Sequence, residues 1–252
     1  MAAVITILQR GLFYLLLVQL GVVSLLWNLF AWLAYPLIPK HAGTLLGRAV
    51  ISRVYRLFWA TTELFGMLQV DAAALALLAH EPGGLIIAAN HPTMLDALVL
   101  VAYLRRGVCV MKADLMRNPF VAAGARLARY IRNDKPRGMM RCAVECLQEG
   151  GQLVMFPEGT RTVHRPVNRF RPGITWIAQK ARVPIQTVII ETDTPYLRKG
   201  WPIWRAPAFP VRLRIRLGER FAPVADHEAL LEDLEGYFAR ELGPARREHV
   251  AA

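Results

Sequence analysis

Between Gly11 and Pro39 the chain carries no charged side chain for 29 residues: GLFYLLLVQLGVVSLLWNLFAWLAYPLIP. A helix of that length reaches about 43 Å, beyond the roughly 30 Å of a bilayer hydrocarbon core. The run predicts a membrane-embedded segment. It exceeds the apolar region of a signal peptide and lacks a small-x-small cleavage site, and buried core helices rarely continue so far without a charge. Gly21 and Pro36 are both potential bend points, so one span and a helix pair dipping into one leaflet both fit. Lys40, Arg48, Arg53 and Arg56 follow the run, no acid appears before Glu63, and only Arg10 precedes it. The positive-inside tendency therefore places the remainder on the cytoplasmic side, with Trp27, Trp32 and Tyr35 near that interface.

With 252 residues, the chain is long enough for one α/β domain behind this anchor and too short for two full catalytic domains. We divide it into an anchor and amphipathic helix over 1–67 and a domain over 68–252. A 54% hydrophobic share with 20% charged residues excludes a disordered chain. The net charge of +12 calls for an anionic partner, and nine of those twelve charges lie between Lys112 and Arg182. Cys109, Cys142 and Cys146 form no CxxC pair, so neither a zinc site nor a disulfide framework is expected. No metal site is expected.

Residues 41–67 read as an amphipathic helix able to lie along a membrane surface. Beyond it, GLIIAAN, GVCVM, QLVMF and VPIQTVII read as buried strands. Stretches 97–106, 119–130, 137–149 and 173–182 read as the helices between them. Such alternation predicts a largely parallel central sheet flanked by helices, an α/β fold. VRLRIRLGERF at 211–221 alternates strictly, a half-buried strand whose arginine face would meet anionic lipid or act as a solvated edge. An acidic terminal helix is expected over 226–242.

Chemistry concentrates in two blocks. Asn90-His91-Pro92-Thr93-Met94-Leu95-Asp96 follows the apolar strand LIIAA. Residues five apart on a helix diverge by about 140°, so His91 and Asp96 meet only if His91 lies on the strand-to-helix turn. Pro92 favours that geometry, because it keeps the preceding residue extended and is tolerated at a first helical position. A carboxylate on one imidazole nitrogen fixes the tautomer and leaves the other as a base for deprotonating a hydroxyl. The second block, Phe156-Pro157-Glu158-Gly159-Thr160-Arg161, follows QLVMF. Pro157 stops the strand, Glu158-Gly159 permits a tight turn, and Thr160 with Arg161 offers a hydroxyl and a forked cation to a phosphate. Taken singly, either block is also compatible with an ordinary turn.

Together the NH-x4-D and FPEGTR blocks, in this order, resemble the glycerolipid acyltransferase family and its lysophosphatidate acyltransferase branch in particular. The resemblance covers about residues 68–220. Val183-Pro184-Ile185 is similar to a third apolar family block, with Thr187 where a later proline is usual, whereas Tyr130-Ile131-Arg132-Asn133-Asp134-Lys135 departs from the family's middle block. The resemblance implies transfer of a fatty acyl group from an acyl-CoA or acyl-carrier-protein thioester to a lysophospholipid hydroxyl, without a cofactor. In that reading His91 is the general base and Asp96 orients it. Glu158, Gly159, Thr160 and Arg161 line the acceptor site, and Lys112 in KADLMRNP is a further acceptor contact. No serine or cysteine stands where an acyl-enzyme nucleophile belongs, so direct attack is expected. The expected setting is a bacterial inner membrane with anionic head groups, the catalytic domain cytoplasmic.

1-Acylglycerol-3-phosphate is the default acceptor; the altered middle block and ETDTPYLRKGWPIWR leave open a non-glycerol lyso-lipid, such as a lyso-ornithine lipid or an aryl polyene lipid anchor. A noncatalytic membrane lipid-binding protein and a thioesterase are the other readings. Nucleic acid is not an expected partner, since no nucleic-acid module accompanies the basic charge. His164 and Arg165 read as a head-group contact or a solvated loop. The stretch PYLRKGWPIWRAP, with Trp201 and Trp204 among cations, reads as a second membrane contact or a packed surface loop.

Overall fold

The computed structural model describes residues 2–104, 106–164 and 166–243. Its sheet contains β1 (Leu68–Asp71), β2 (Leu85–Ala89), β3 (Gly107–Met111), β4 (Ile131–Arg132), β5 (Gln152–Met155), β6 (Ile185–Thr192) and β7 (Val211–Phe221). The spatial order is β1-β7-β6-β2-β5-β3-β4, with every pairing parallel except β6 with β7. The four strands read from apolar runs are present. The short strands β1 and β4 lacked any sequence pattern, being four and two residues long.

The helices are α1 (Ala2–Ala34), α2 (Lys40–Leu64), α3 (Leu95–Tyr103), α4 (Ala122–Leu127), α5 (Pro136–Gln148), α6 (Gly173–Ala181) and α7 (His227–Glu241). Strand alternation sorts the core into two layers. Ile87, Ala89, Val154, Val188 and Ile190 face a layer holding α3, Trp59 of α2 and Phe13 and Leu16 of α1. Ile86, Ala88, Leu153, Met155 and Ile189 face the layer of α5, α6 and α7, which contributes Leu147, Ile177, Leu234 and Phe238. β2 is buried on both faces, the reason it reads as an unbroken apolar run.

α1 is one unbroken helix through Gly21, and the chain turns at Tyr35–Pro39 before α2. By length and composition it is apolar enough over Thr6–Ala34 to cross a membrane. It nevertheless packs on the body near both ends, burying Phe13 and Leu16 at one and Asn28, Ala31 and Ala34 at the other, while Leu8, Leu15, Val22, Leu26, Leu29 and Leu33 stay exposed. Asn28 makes the polar part of this contact. Its Nδ2 donates to Phe120 O at 2.7 Å and Ser24 O at 2.8 Å, and its Oδ1 accepts from Gly124 N–H at 2.9 Å.

Two expectations change with the packing. Arg48 and Arg56 of α2 do not form a free polar face: they donate to Ala128 O and Ala102 O, so α2 is fastened to α4 and α3. Gly47 permits that approach, because a Cβ there would stand 2.7 Å from Ala128 N. Nor is β7 a bare edge along its whole length, since β1 pairs with its first four residues, Val211–Arg214. Its arginine face is solvated, with Arg212 and Arg214 more than half exposed, and it is also matched to acids: Arg212 to Asp193, Arg214 to Asp71, and Arg216 to Glu191 and Glu241.

Replacing Asn28 by Leu removes the partners of Gly124 N–H and Phe120 C=O. The expected cost is about 1–3 kcal/mol for each group left unsatisfied. Thermal unfolding of the two proteins in detergent should give a clearly lower Tm for the variant; an unchanged Tm would show that the contact does not hold α1.

Candidate active site

In open α/β sheets, clefts form beyond the carboxyl ends of neighbouring strands. Here β2 and β5 are adjacent and parallel, and the register sets Ala88 beside Met155, so the segments leaving the two strands emerge together. One carries His91 and the other Glu158. They are joined at the backbone: His91 N–H donates to Glu158 Oε1 at 3.0 Å, and Thr162 N–H donates to His91 O at 2.8 Å.

His91 lies on the turn, as the spacing requires, but α3 starts at Leu95, so Pro92 sits in the turn rather than at a first helical position. His91 Nδ1 and Asp96 Oδ2 are 3.0 Å apart. The imidazole retains 17% exposure and the Asp96 carboxylate none. Asp96 lies in the first turn of α3, where the helix dipole favours negative charge. Thr93 completes the arrangement. Its N–H donates to Asp96 Oδ2 at 2.8 Å, its hydroxyl donates to Asp96 Oδ1 at 2.8 Å, and its oxygen accepts from Leu95 N–H at 3.0 Å. The reach of Asp96 back to Thr93 N–H resembles one half of a capping box, set one residue ahead of the N-cap Met94, so the turn that leads into α3 also places the carboxylate. Burial pushes the Asp96 carboxyl above its ordinary range, against the opposing hydrogen bonds from His91 and Thr93. Phe156 stacks on the imidazole, with centroids 4.0 Å apart and planes 17° from parallel.

The second block divides its labour. Glu158 is buried and its carboxylate is occupied from within: Oε1 also accepts from the Thr162 hydroxyl at 2.7 Å, and Oε2 from Asn168 N–H at 2.9 Å. It joins the two blocks, whereas the sequence suggested a lining residue. Gly159 has φ +69°, and a Cβ there would meet Arg171 Nε at 2.5 Å; its turn requires glycine and brings Arg171 against the block. Thr160 follows Gly159 in the same turn. Arg161 Nη1 donates to Leu197 O at 2.8 Å and Arg198 O at 3.1 Å, which engages one terminal nitrogen of a five-donor guanidinium. Lys112 follows β3 at the same edge of the sheet, one strand beyond β5, and is exposed.

Sequence reasoning missed Thr93, Asn168, Phe156 as a stacking ring, and Arg171. Thr93 had a legible signal, the Thr-x-x-Asp capping pattern before an apolar run. Asn168 had none: its Oδ1 accepts from Val163 N–H and His164 N–H, a loop role visible only in three dimensions. Arg165 lies outside the described residues. Cys109, on β3, is buried and its thiol is pushed up to about 12, which makes it an inert core residue.

Comparison with known proteins agrees with this architecture. Residues 77–191 match the Acyltransferase family. A 1-acyl-sn-glycerol-3-phosphate acyltransferase of Pseudomonas aeruginosa is 23% identical over 201 residues, covering 77% of this chain and 75% of that protein. A protein of the same name from Helicobacter pylori is 26% identical over 168 residues, covering 64% and 69% respectively. Among solved structures, the 1-acyl-sn-glycerophosphate (LPA) acyltransferase PlsC of Thermotoga maritima superposes with a TM-score of 0.72 at 22% identity, covering 100% of this chain and 98% of that one, and shares the fold.

Because burial raises the Asp96 pKa, keeping the group ionised at neutral pH costs folding stability. That cost is absent below the ordinary aspartate range and complete above the raised value. An asparagine can donate to the Thr93 oxygen while its Oδ1 accepts from Thr93 N–H and His91. Asp96→Asn is therefore expected to melt at or above wild type at pH 7, with the gap closing in acid, while turnover falls by at least about 10²-fold. Melting curves across pH beside single-point activity check this; a strongly lowered Tm at pH 7 would contradict it.

Proposed function

We propose that this chain, which matches the Acyltransferase family over residues 77–191, esterifies the free hydroxyl of a lysophosphatidate with a fatty acyl group taken from an acyl-CoA or acyl-carrier-protein thioester. The observation carrying the mechanism is the buried Asp96 carboxylate 3.0 Å from Nδ1 of a partly exposed His91. With Nδ1–H held by Asp96, Nε2 is the proton acceptor.

In this reading Nε2 takes the proton of the acceptor hydroxyl as its oxygen attacks the thioester carbonyl. The tetrahedral adduct collapses, the carbon–sulfur bond breaks, and the imidazolium returns its proton to the departing thiolate. Asp96 stabilises the positive ring between these events, and the face of Phe156 holds its plane. Arg161 keeps donors available for the acceptor phosphate, with Gly159, Thr160 and Lys112 as further contacts on that side. Glu158 acts as a positioning residue. The transfer uses no cofactor or metal beyond the donor thioester, and no side chain carries the acyl group.

The apolar outer face of α1 supports attachment to a bilayer. Contact with the body near both ends of the helix favours a helix lying along one leaflet over a perpendicular span. Arg126 lies over the Tyr35 ring at 6.0 Å, beside exposed Trp32, an aromatic and cationic rim suited to anionic head groups.

Incubating labelled acyl thioester with lysophosphatidate should give phosphatidate as the labelled product. Free fatty acid alone would indicate a thioesterase, no turnover a lipid-binding protein, and product only with lyso-ornithine or another non-glycerol acceptor a different branch. His91→Ala should lower turnover by about 10²–10⁴ or more. Near-normal transfer by a folded His91→Ala protein would remove the proposed base. Arg161→Ala should chiefly raise the KM for the acceptor.

A further inference from the structure

We propose that the segment from Thr194 to Ala206 is a second bilayer contact, seated on an anionic phospholipid surface, and that its seating steadies Arg161 in the active site. The proposal rests on the reading of α1 as the membrane-associated helix.

The segment is a folded element. Arg198 N–H donates to Pro195 O at 3.1 Å, Trp201 N–H to Arg198 O at 2.9 Å, and Arg205 N–H to Pro202 O at 3.0 Å; the Trp201 indole N–H closes the last turn on Arg205 O at 2.9 Å. Tyr196 and Leu197 are buried, with the Tyr196 ring edge-on to Phe13 of α1. The tip behaves in the opposite way: Ile203 is 55% exposed and Trp204 74%. A loop held by its own hydrogen bonds that hides one pair of large apolar residues and presents another is suited to an apolar phase outside. Exposed Lys199 and Arg205 flank the tip, and Arg205 lies 4.9 Å over the Trp201 ring. An apolar point with a cationic collar suits an anionic lipid interface, where indoles settle at head-group depth.

This surface continues that of α1. The Tyr14 hydroxyl donates to Trp204 O at 2.7 Å and accepts from Ala206 N–H at 3.3 Å, next to exposed Leu15 and Val18. On its inner side the loop grips the active site. Leu197 has φ +56°, a left-handed conformation that leucine seldom adopts. Its carbonyl accepts from both Arg161 Nη1 and Met94 N–H, one from each block. Displacing the tip therefore moves the carbonyls that fix the guanidinium.

The test uses the full chain in a Cys142→Ser background, since Cys109 is buried and Cys146 partly so. Ile203→Cys is labelled with bimane, Leu25→Cys on the exposed face of α1 serves as the reference, and each protein is reconstituted into phosphatidylglycerol vesicles containing brominated-chain lipid. Quenching at both positions is expected. Quenching at 25 without quenching at 203 overturns the proposal and leaves the α1 reading intact; no quenching at either position overturns both. In parallel, Trp204→Glu should reduce transfer to vesicle-borne lysophosphatidate by about tenfold, the equivalent of losing one buried large side chain. Its rate on a monomeric short-chain acceptor should match wild type. Equal losses on both acceptors, or none on either, overturn the coupling to the membrane.

Discussion

A single charge-bearing hydrogen bond, from the imidazole of His91 to the fully buried carboxylate of Asp96, organises the active end of this fold. An ionised carboxylate out of water survives only with donors around it, and this one has three: the imidazole, the Thr93 amide and the Thr93 hydroxyl. Because both Thr93 donors belong to the turn that leads into α3, the imidazole cannot be reoriented without disturbing that turn. Positioning of this kind, fixed by secondary structure before any substrate arrives, is what general-base catalysis requires.

The same economy governs the second block. Adjacent, parallel β2 and β5 deliver two loops to one place, and Glu158 converts proximity into a fixed distance by accepting from the backbone of one loop and from Thr162 and Asn168 of its own. A carboxylate saturated by internal donors is poorly placed to meet an anionic acceptor. Arg161, Arg171 and Lys112 remain to supply positive charge on that side, in keeping with the basic excess between Lys112 and Arg182.

The apolar flank connects the chemistry to its setting. α1 meets the body through Asn28 and Ala31 at one end and through Phe13, Leu16 and Tyr14 at the other. The loop held by Tyr14 also carries the carbonyls that receive Arg161. The apolar outer face of α1 and the Arg161 guanidinium are thereby separated by one short loop.

The sequence by itself determined the α/β class, the four apolar strands, the greasy amino end, and the pairing of His91 with Asp96, because these depend on local periodicity, on turn chemistry and on motifs only a few residues long. The tertiary structure decided whatever depends on residues far apart in the chain. Strand order supplied acid partners for the β7 arginines, and the meeting of two loops gave the buried Glu158 donors from both of them. The packing of α2 set Arg48 and Arg56 on the carbonyls of Ala128 and Ala102, and the fold of the loop after Thr194 brought the Leu197 and Arg198 carbonyls to Arg161. A side chain's type is written in the sequence, but its partners depend on which distant segments the sheet brings beside it.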